Sequence, residues 1–226
     1  MASTVHAVTN RVPGAATTLE RERALAREDL CRFLSACFYE PTPMFAEERL
    51  FESMLRAARQ IDPELAERVR ALGEAYAAED SQALLVDHTR LFLGPIQPRA
   101  QPYGSVWLGG EPTLMQDSTM AVIELYREGG FEIDDEFRDL PDHVSVELEF
   151  LYVLNFRENQ AVRAGDAAAV EAVAALRRRF LAEHLGAWIG RFADALRQGA
   201  ETAFYRELAG VVQLWVRRSA EVDTPQ

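Results

Sequence analysis

From Leu19 onward, apolar residues recur three and four positions apart, within stretches rich in Ala, Leu, Arg and Glu and poor in β-branched runs. That period belongs to amphipathic helices, and it persists almost to the end of the chain. The first predicted helix runs from near Leu19 to Tyr39, where Pro41 and Pro43 stop it. A second covers about Met44 to Gln60. A third begins with Asp62 as N-cap and Pro63 at its first position, and a fourth spans Ser81 to about Phe92.

The pattern then breaks. Gly94 to Pro112, GPIQPRAQPYGSVWLGGEP, concentrates prolines and glycines among aromatic residues, so no regular element is expected there. Tyr103, Ser105 and Trp107 alternate within it, and an extended backbone would place all three on one face. Helical periodicity resumes at Asp117 or Ser118 as cap and ends at Gly129-Gly130. The acidic linker FEIDDEFRD leads into a helix from about Pro141 to Gln160, with Asp139 as the expected N-cap. Three more helices follow, over about 166–184, 185–197 and 202–219.

The reading is all-α: one globular domain of roughly eight to eleven helices over 19–219. Residues 1–18 read as a flexible N-terminal tail and 220–226 as a C-terminal one. The first 18 residues hold no apolar run suited to a signal-peptide core. No apolar stretch of about 18 residues predicts a membrane span.

Charge narrows the partners. The chain has 226 residues, 36 acidic and 24 basic, for a net charge of -12, and every basic residue is Arg. Nucleic-acid binding is disfavoured, because phosphate contacts need clustered positive charge. Without Lys a Walker A loop cannot form, and neither HExxH nor CxxC occurs. Leu occupies the position three residues before His88, His143 and His184, which removes the Glu-x-x-His pairs of a di-iron bundle. Cys31 and Cys37, six apart on one helix, face roughly opposite sides and read as reduced core thiols.

The candidate chemistry lies in RDLPDHVSVELEF. Asp142 fits a first-turn carboxylate beside the helix dipole, and Glu147 lies one turn after His143, so a His143–Glu147 pair on one face is sterically natural. A metal site of Asp142, His143 and Glu147, serving a hydrolase, is the alternative from a different class.

Four segments occur in a recognisable order: HTRLFLGP (88–95), PYGSVWL (102–108), DSTMAVIELYREGG (117–130) and LPDHVSVELEF (140–150). Together they resemble the TorD/DmsD/NarJ family of cytoplasmic redox-enzyme maturation chaperones, most closely the TorD/DmsD branch. The resemblance implies a TorD-like helical protein that is not an enzyme and needs no resident cofactor. Its implied partners are a molybdoenzyme catalytic subunit and that subunit's twin-arginine signal peptide, which it holds until cofactor insertion is complete. It implies no stable membrane insertion and a monomer or homodimer. Guanine nucleotide binding and domain swapping are reported for some relatives. The implied peptide-groove residues are Asp142, His143, Tyr103, Ser105, Trp107 and Leu91. A peptide with two guanidinium groups and an apolar segment needs carboxylates beside an aromatic groove, so Glu147 and the acids of EIDDEFRD are further candidates.

Overall fold

The computed structural model describes residues 17–94, 98–109, 114, 116–133 and 139–221. Among them are eleven α-helices and one π-helical turn. The helices are α1 Thr18–Ala36, α2 Met44–Glu47, α3 Leu50–Ile61, α4 Pro63–Ala78, α5 Ser81–His88, α6 Gly104–Leu108, α7 Asp117–Glu128, α8 Val144–Ala164, α9 Ala167–Glu183, α10 Leu185–Gly199 and α11 Ala203–Glu221. The π-helical turn, Thr89–Leu93, follows α5 directly. The expected tails over 1–16 and 222–226 lie outside the described residues, and α11 extends two residues past the expected boundary at 219.

Local chemistry explains the starts. Thr17 and Glu20 form a capping box at α1, and Asp62 accepts from Leu65 N–H ahead of Pro63 at α4. The single predicted helix over 44–60 is instead two, because Arg49 takes a left-handed φ of 52° that no helix interior accommodates. The fourth helix ends earlier than its pattern suggested and becomes the π-helical turn, whose wider winding puts Leu91 and Phe92 in the core. α7 begins after Gln116, which makes no side-chain cap, so neither Asp117 nor Ser118 has that role.

α11 is buried on nearly every side: Phe204, Tyr205, Leu208, Val211, Val212, Trp215 and Val216 all lie in the core. A helix with so broad an apolar face must be enclosed by its neighbours, and here α4, α9 and α10 pack against it. α1 lies along α8 and runs antiparallel to it. Glu28 pairs with Asn159, Cys31 with Asn155 and Ser35 with Glu149, so ascending numbers on α1 meet descending ones on α8. Cys31 and Cys37 are free and buried, as expected.

Candidate functional site

The RDLPDH segment departs from its expected geometry. α8 starts at Val144, three residues later than predicted, and Leu140 to His143 form a turn in front of it. His143 is the N-cap, its Nδ1 accepting from Ser145 N–H at 3.2 Å, while the backbone donor that Asp139 accepts from is its neighbour Leu140 N–H and its side chain also bonds to Tyr103. An imidazole nitrogen has replaced the expected carboxylate because the chain turns at Pro141 and Asp142 before it winds. The expected His143–Glu147 side-chain pair is also absent. His143 Nδ1 lies 2.6 Å from Ser145 Oγ, and Glu147 reaches instead to Trp188, whose Nε1 donates to it at 3.1 Å.

This turn is stitched to the Pro/Gly-rich segment. Gly104 N–H donates to Asp142 O at 2.8 Å, Val144 N–H to Pro102 O at 2.8 Å, and Tyr103 and His143 form an isolated antiparallel bridge. The segment is not extended throughout, as the alternation of Tyr103, Ser105 and Trp107 had suggested, because α6 starts at Gly104. Asp142 Oδ2 accepts from Ser105 N–H at 2.7 Å, so a carboxylate 37 residues away terminates this short helix. Helical winding separates the three side chains. Tyr103 faces His143, Ser105 is buried, and Trp107 leans on Phe192 while its Nε1 donates to Gln101 O.

Burial divides the candidates. Asp142, His143, Ser105, Glu147 and Leu91 are all enclosed, whereas Tyr103 and Trp107 are partly exposed. Gly104 sits directly over Glu147: a Cβ there would lie 3.0 Å from both Glu147 Oε1 and Trp188 Nε1. Asp142 Oδ1, Glu147 Oε1 and Ser105 Oγ have no hydrogen-bond partner among the described residues. Burial, and secondarily the neighbouring Asp142, holds the Glu147 carboxyl well above its ordinary range. Burial likewise pushes His143 down to about 4, against the opposing pull of Asp139 and Asp142, so its imidazole is neutral near pH 7.

No three or more His, Cys, Asp or Glu side chains among the described residues are arranged to hold a metal ion. Asp142, His143 and Glu147 each turn to a different protein partner, so these three side chains do not come together as the metal site of the hydrolase alternative.

Beside His143 lies a groove the sequence did not reveal. It encloses about 400 Å³ between α1 and α8 and is lined mainly by Ser35, Tyr39, Phe131, Glu149, Tyr152 and Val153. Tyr39 joins it to the turn: its ring stacks on His143 at 6.5 Å, and its hydroxyl donates to Glu149 Oε1 at 2.9 Å. Ser35 Oγ donates to the same oxygen at 3.0 Å. Asp139 lies beside His143 and Tyr103, its Oδ2 3.8 Å from His143 Nε2, with its side chain 39% exposed. Two carboxylates, Asp139 and Glu149, thus rim a row of Tyr103, His143 and Tyr39. Arg32, also on the wall, is held by Asp29 at 3.3 Å. Of the acids of EIDDEFRD, residues 134–136 lie outside the described residues and Asp139 reaches the rim. Ser35 with Tyr39 and Glu149 with Val153 are ordinary i, i+4 pairs in the sequence. Only the antiparallel docking of two helices distant in the chain brings them together.

Fold and site define an all-helical protein with an aromatic, carboxylate-rimmed groove. The family described as nitrate reductase delta subunit matches residues 58–194, more than half of the chain. Three relatives are similar over most of their length. They are the Tat proofreading chaperone DmsD of Salmonella typhi (28% identity; 84% of this chain, 88% of the relative) and the chaperone TorD of Shewanella loihica (27%; 78% and 79%). The third is the TorD of Photobacterium profundum (31%; 63% and 67%). The chain belongs to this family, the TorD/DmsD/NarJ group of redox-enzyme maturation chaperones.

Proposed function

We propose that the protein acts in the cytoplasm as a chaperone for the catalytic subunit of a molybdoenzyme. It binds the subunit's twin-arginine signal peptide in the groove between α1 and α8 and delays export until the cofactor is in place. The observation that carries this reading is the pairing of Asp139 and Glu149 across the Tyr39–His143–Tyr103 row. Two guanidinium groups of a twin-arginine motif match two rim carboxylates, and planar guanidiniums also stack on aromatic rings. The apolar segment of the peptide finds Phe131, Tyr152 and Val153. A neutral His143 suits the site because a cation there would oppose the peptide's charge. The net charge of -12 steers a basic peptide inward, an effect that weakens as salt rises.

Asp142, Glu147, Ser105 and Leu91 then work from behind the surface. Asp142 fixes α6 and so positions Tyr103 and Trp107. The test is calorimetric titration of the full chain with the twin-arginine peptide of a molybdoenzyme encoded beside it. Asp139→Asn and Glu149→Gln are each expected to weaken binding about tenfold, equivalent to about 1.4 kcal/mol, and a Lys-Lys peptide to bind more weakly than Arg-Arg. Unchanged affinity in the double variant refutes the groove. Absence of binding to both peptide and apoprotein refutes the function.

A further inference from the structure

A second cavity lies further along α1, toward its N-terminal end, where arginines form the wall and carboxylates brace them. It encloses about 240 Å³, and its wall includes Arg23, Arg27, Arg177, Arg218, Asn155 and Trp215. Arg27 and Ser35 are eight residues apart on α1, so this cavity is about 12 Å from the groove along the helix axis. Acidic residues outnumber basic ones in the chain by 36 to 24, yet four guanidiniums line this cavity and only Asp62 and Glu221 there are acidic.

The arginines are braced from behind. Arg177, 4% exposed, is gripped by Glu158 and donates from Nη1 to Asn155 Oδ1 at 3.3 Å. Arg218 is held by Asp62 at 3.3 Å, Glu64 at 3.1 Å and Glu221 at 3.0 Å. Arg23 Nε donates to Gln60 O at 3.1 Å. Each guanidinium offers five N–H donors in a fixed plane, so a braced arginine keeps donors for a ligand while losing little freedom on binding. One buried donor on the wall, Arg218 Nε, has no hydrogen-bond partner among the described residues, whereas the Trp215 indole turns to the Cys31 thiol. A buried donor without an acceptor is uncommon in native proteins, and one on a wall lined by four guanidiniums calls for an acceptor from outside.

We propose that this cavity binds a small oxyanion-bearing ligand, a phosphate or carboxylate with an apolar portion that lies against Trp215 and Ile61. Arginine forks match planar carboxylates and phosphate faces, and the volume suits a small molecule. The surrounding net charge of -12 repels a polyanion such as nucleic acid, which limits the occupant to a compact anion. The twin-arginine peptide, a cation, is excluded from this cavity by the same arginines.

The experiment titrates the full chain in a phosphate-free buffer with pyrophosphate and with citrate, at ionic strength matched by sodium chloride, following heat and tryptophan fluorescence. Saturable one-site binding of pyrophosphate or citrate is expected, and the stronger of the two tells phosphate from carboxylate chemistry. Arg27→Gln is expected to weaken it about tenfold, with the exposed Arg23→Gln as a second variant should Arg27→Gln fail to fold. Trp215→Phe should remove the fluorescence change and weaken the heat, because it shrinks the apolar wall. A response that follows ionic strength alone, that is equal in the arginine variants, or that is absent for both anions overturns the proposal.

Discussion

His143 gives the sharpest test of the site's electrostatics. Its ring is enclosed between Tyr39 and Tyr103, and burial lowers its pKa from 6.5 to about 4. In the unfolded chain the imidazole takes up a proton as pH drops through 6.5, while the folded protein leaves it neutral until about pH 4. Between those values the unfolded state binds more protons, so this residue's contribution to stability is complete above pH 6.5 and is lost as pH falls toward 4. Each unit is worth about 1.4 kcal/mol, so the gap amounts to about 3 kcal/mol in all, and to about 1 kcal/mol between pH 6.5 and 5.5. His143→Asn isolates the effect, because Asn serves well as an N-cap and does not titrate. Lost contacts with the two tyrosines shift the variant's stability by a constant. Buried groups common to both proteins, Glu147 and His184 among them, cancel in the difference. Urea unfolding of both proteins at pH 7.0 and 5.5 supplies the measurement. The wild type should lose about 1 kcal/mol more than the variant across that interval. Equal losses would mean that His143 is protonated in the folded state, and the account of a neutral imidazole beside the groove would fail.

Three other outcomes follow from the same geometry. Asp142→Ala leaves Ser105 N–H buried without an acceptor and should cost about 1–3 kcal/mol in urea unfolding, whereas Asp142→Asn, which still offers an oxygen, should cost less. The raised Glu147 carboxyl stabilises the fold most at low pH and loses that contribution as pH rises from 4.5 toward its folded value. Glu147→Gln should therefore gain on the wild type between pH 5 and 7, and parallel stability curves would contradict a protonated Glu147. Burial pushes the Cys31 and Cys37 thiols up to about 12, so Ellman's reagent should modify them only at the rate of protein opening, measured as absorbance with and without denaturant.

Helical periodicity, proline stops and the Asp62-Pro63 start were legible as local facts, because each depends on residues within one or two turns. The N-cap at α8 was misread for the same reason. Locally, Asp139 has the better capping chemistry, and what promotes His143 is the pairing of its turn with residues 102–104, some forty positions away. α6 was invisible because five residues among glycines and prolines have no helical preference, and it is held by Asp142 and a bond from Gln116 to Ser105 O. Seen in sequence, Asp142 and Glu147 appeared as ligand-facing acids. Folded, both are buried, and the carboxylates nearer the surface are the exposed Asp139, at the edge of that motif, and the partly exposed Glu149, two residues further along α8.

The sequence by itself determined an all-helical chain, most of its long helices, its reduced thiols and, through four ordered segments, its family. Each of these is written in nearest-neighbour chemistry or in residue order. Tertiary structure decided which acids face solvent, why His143 is neutral, and that Ser35 and Tyr39 meet Glu149 across α1 and α8. Those properties depend on burial and on contacts between residues more than a hundred positions apart, and the docking of helices sets both.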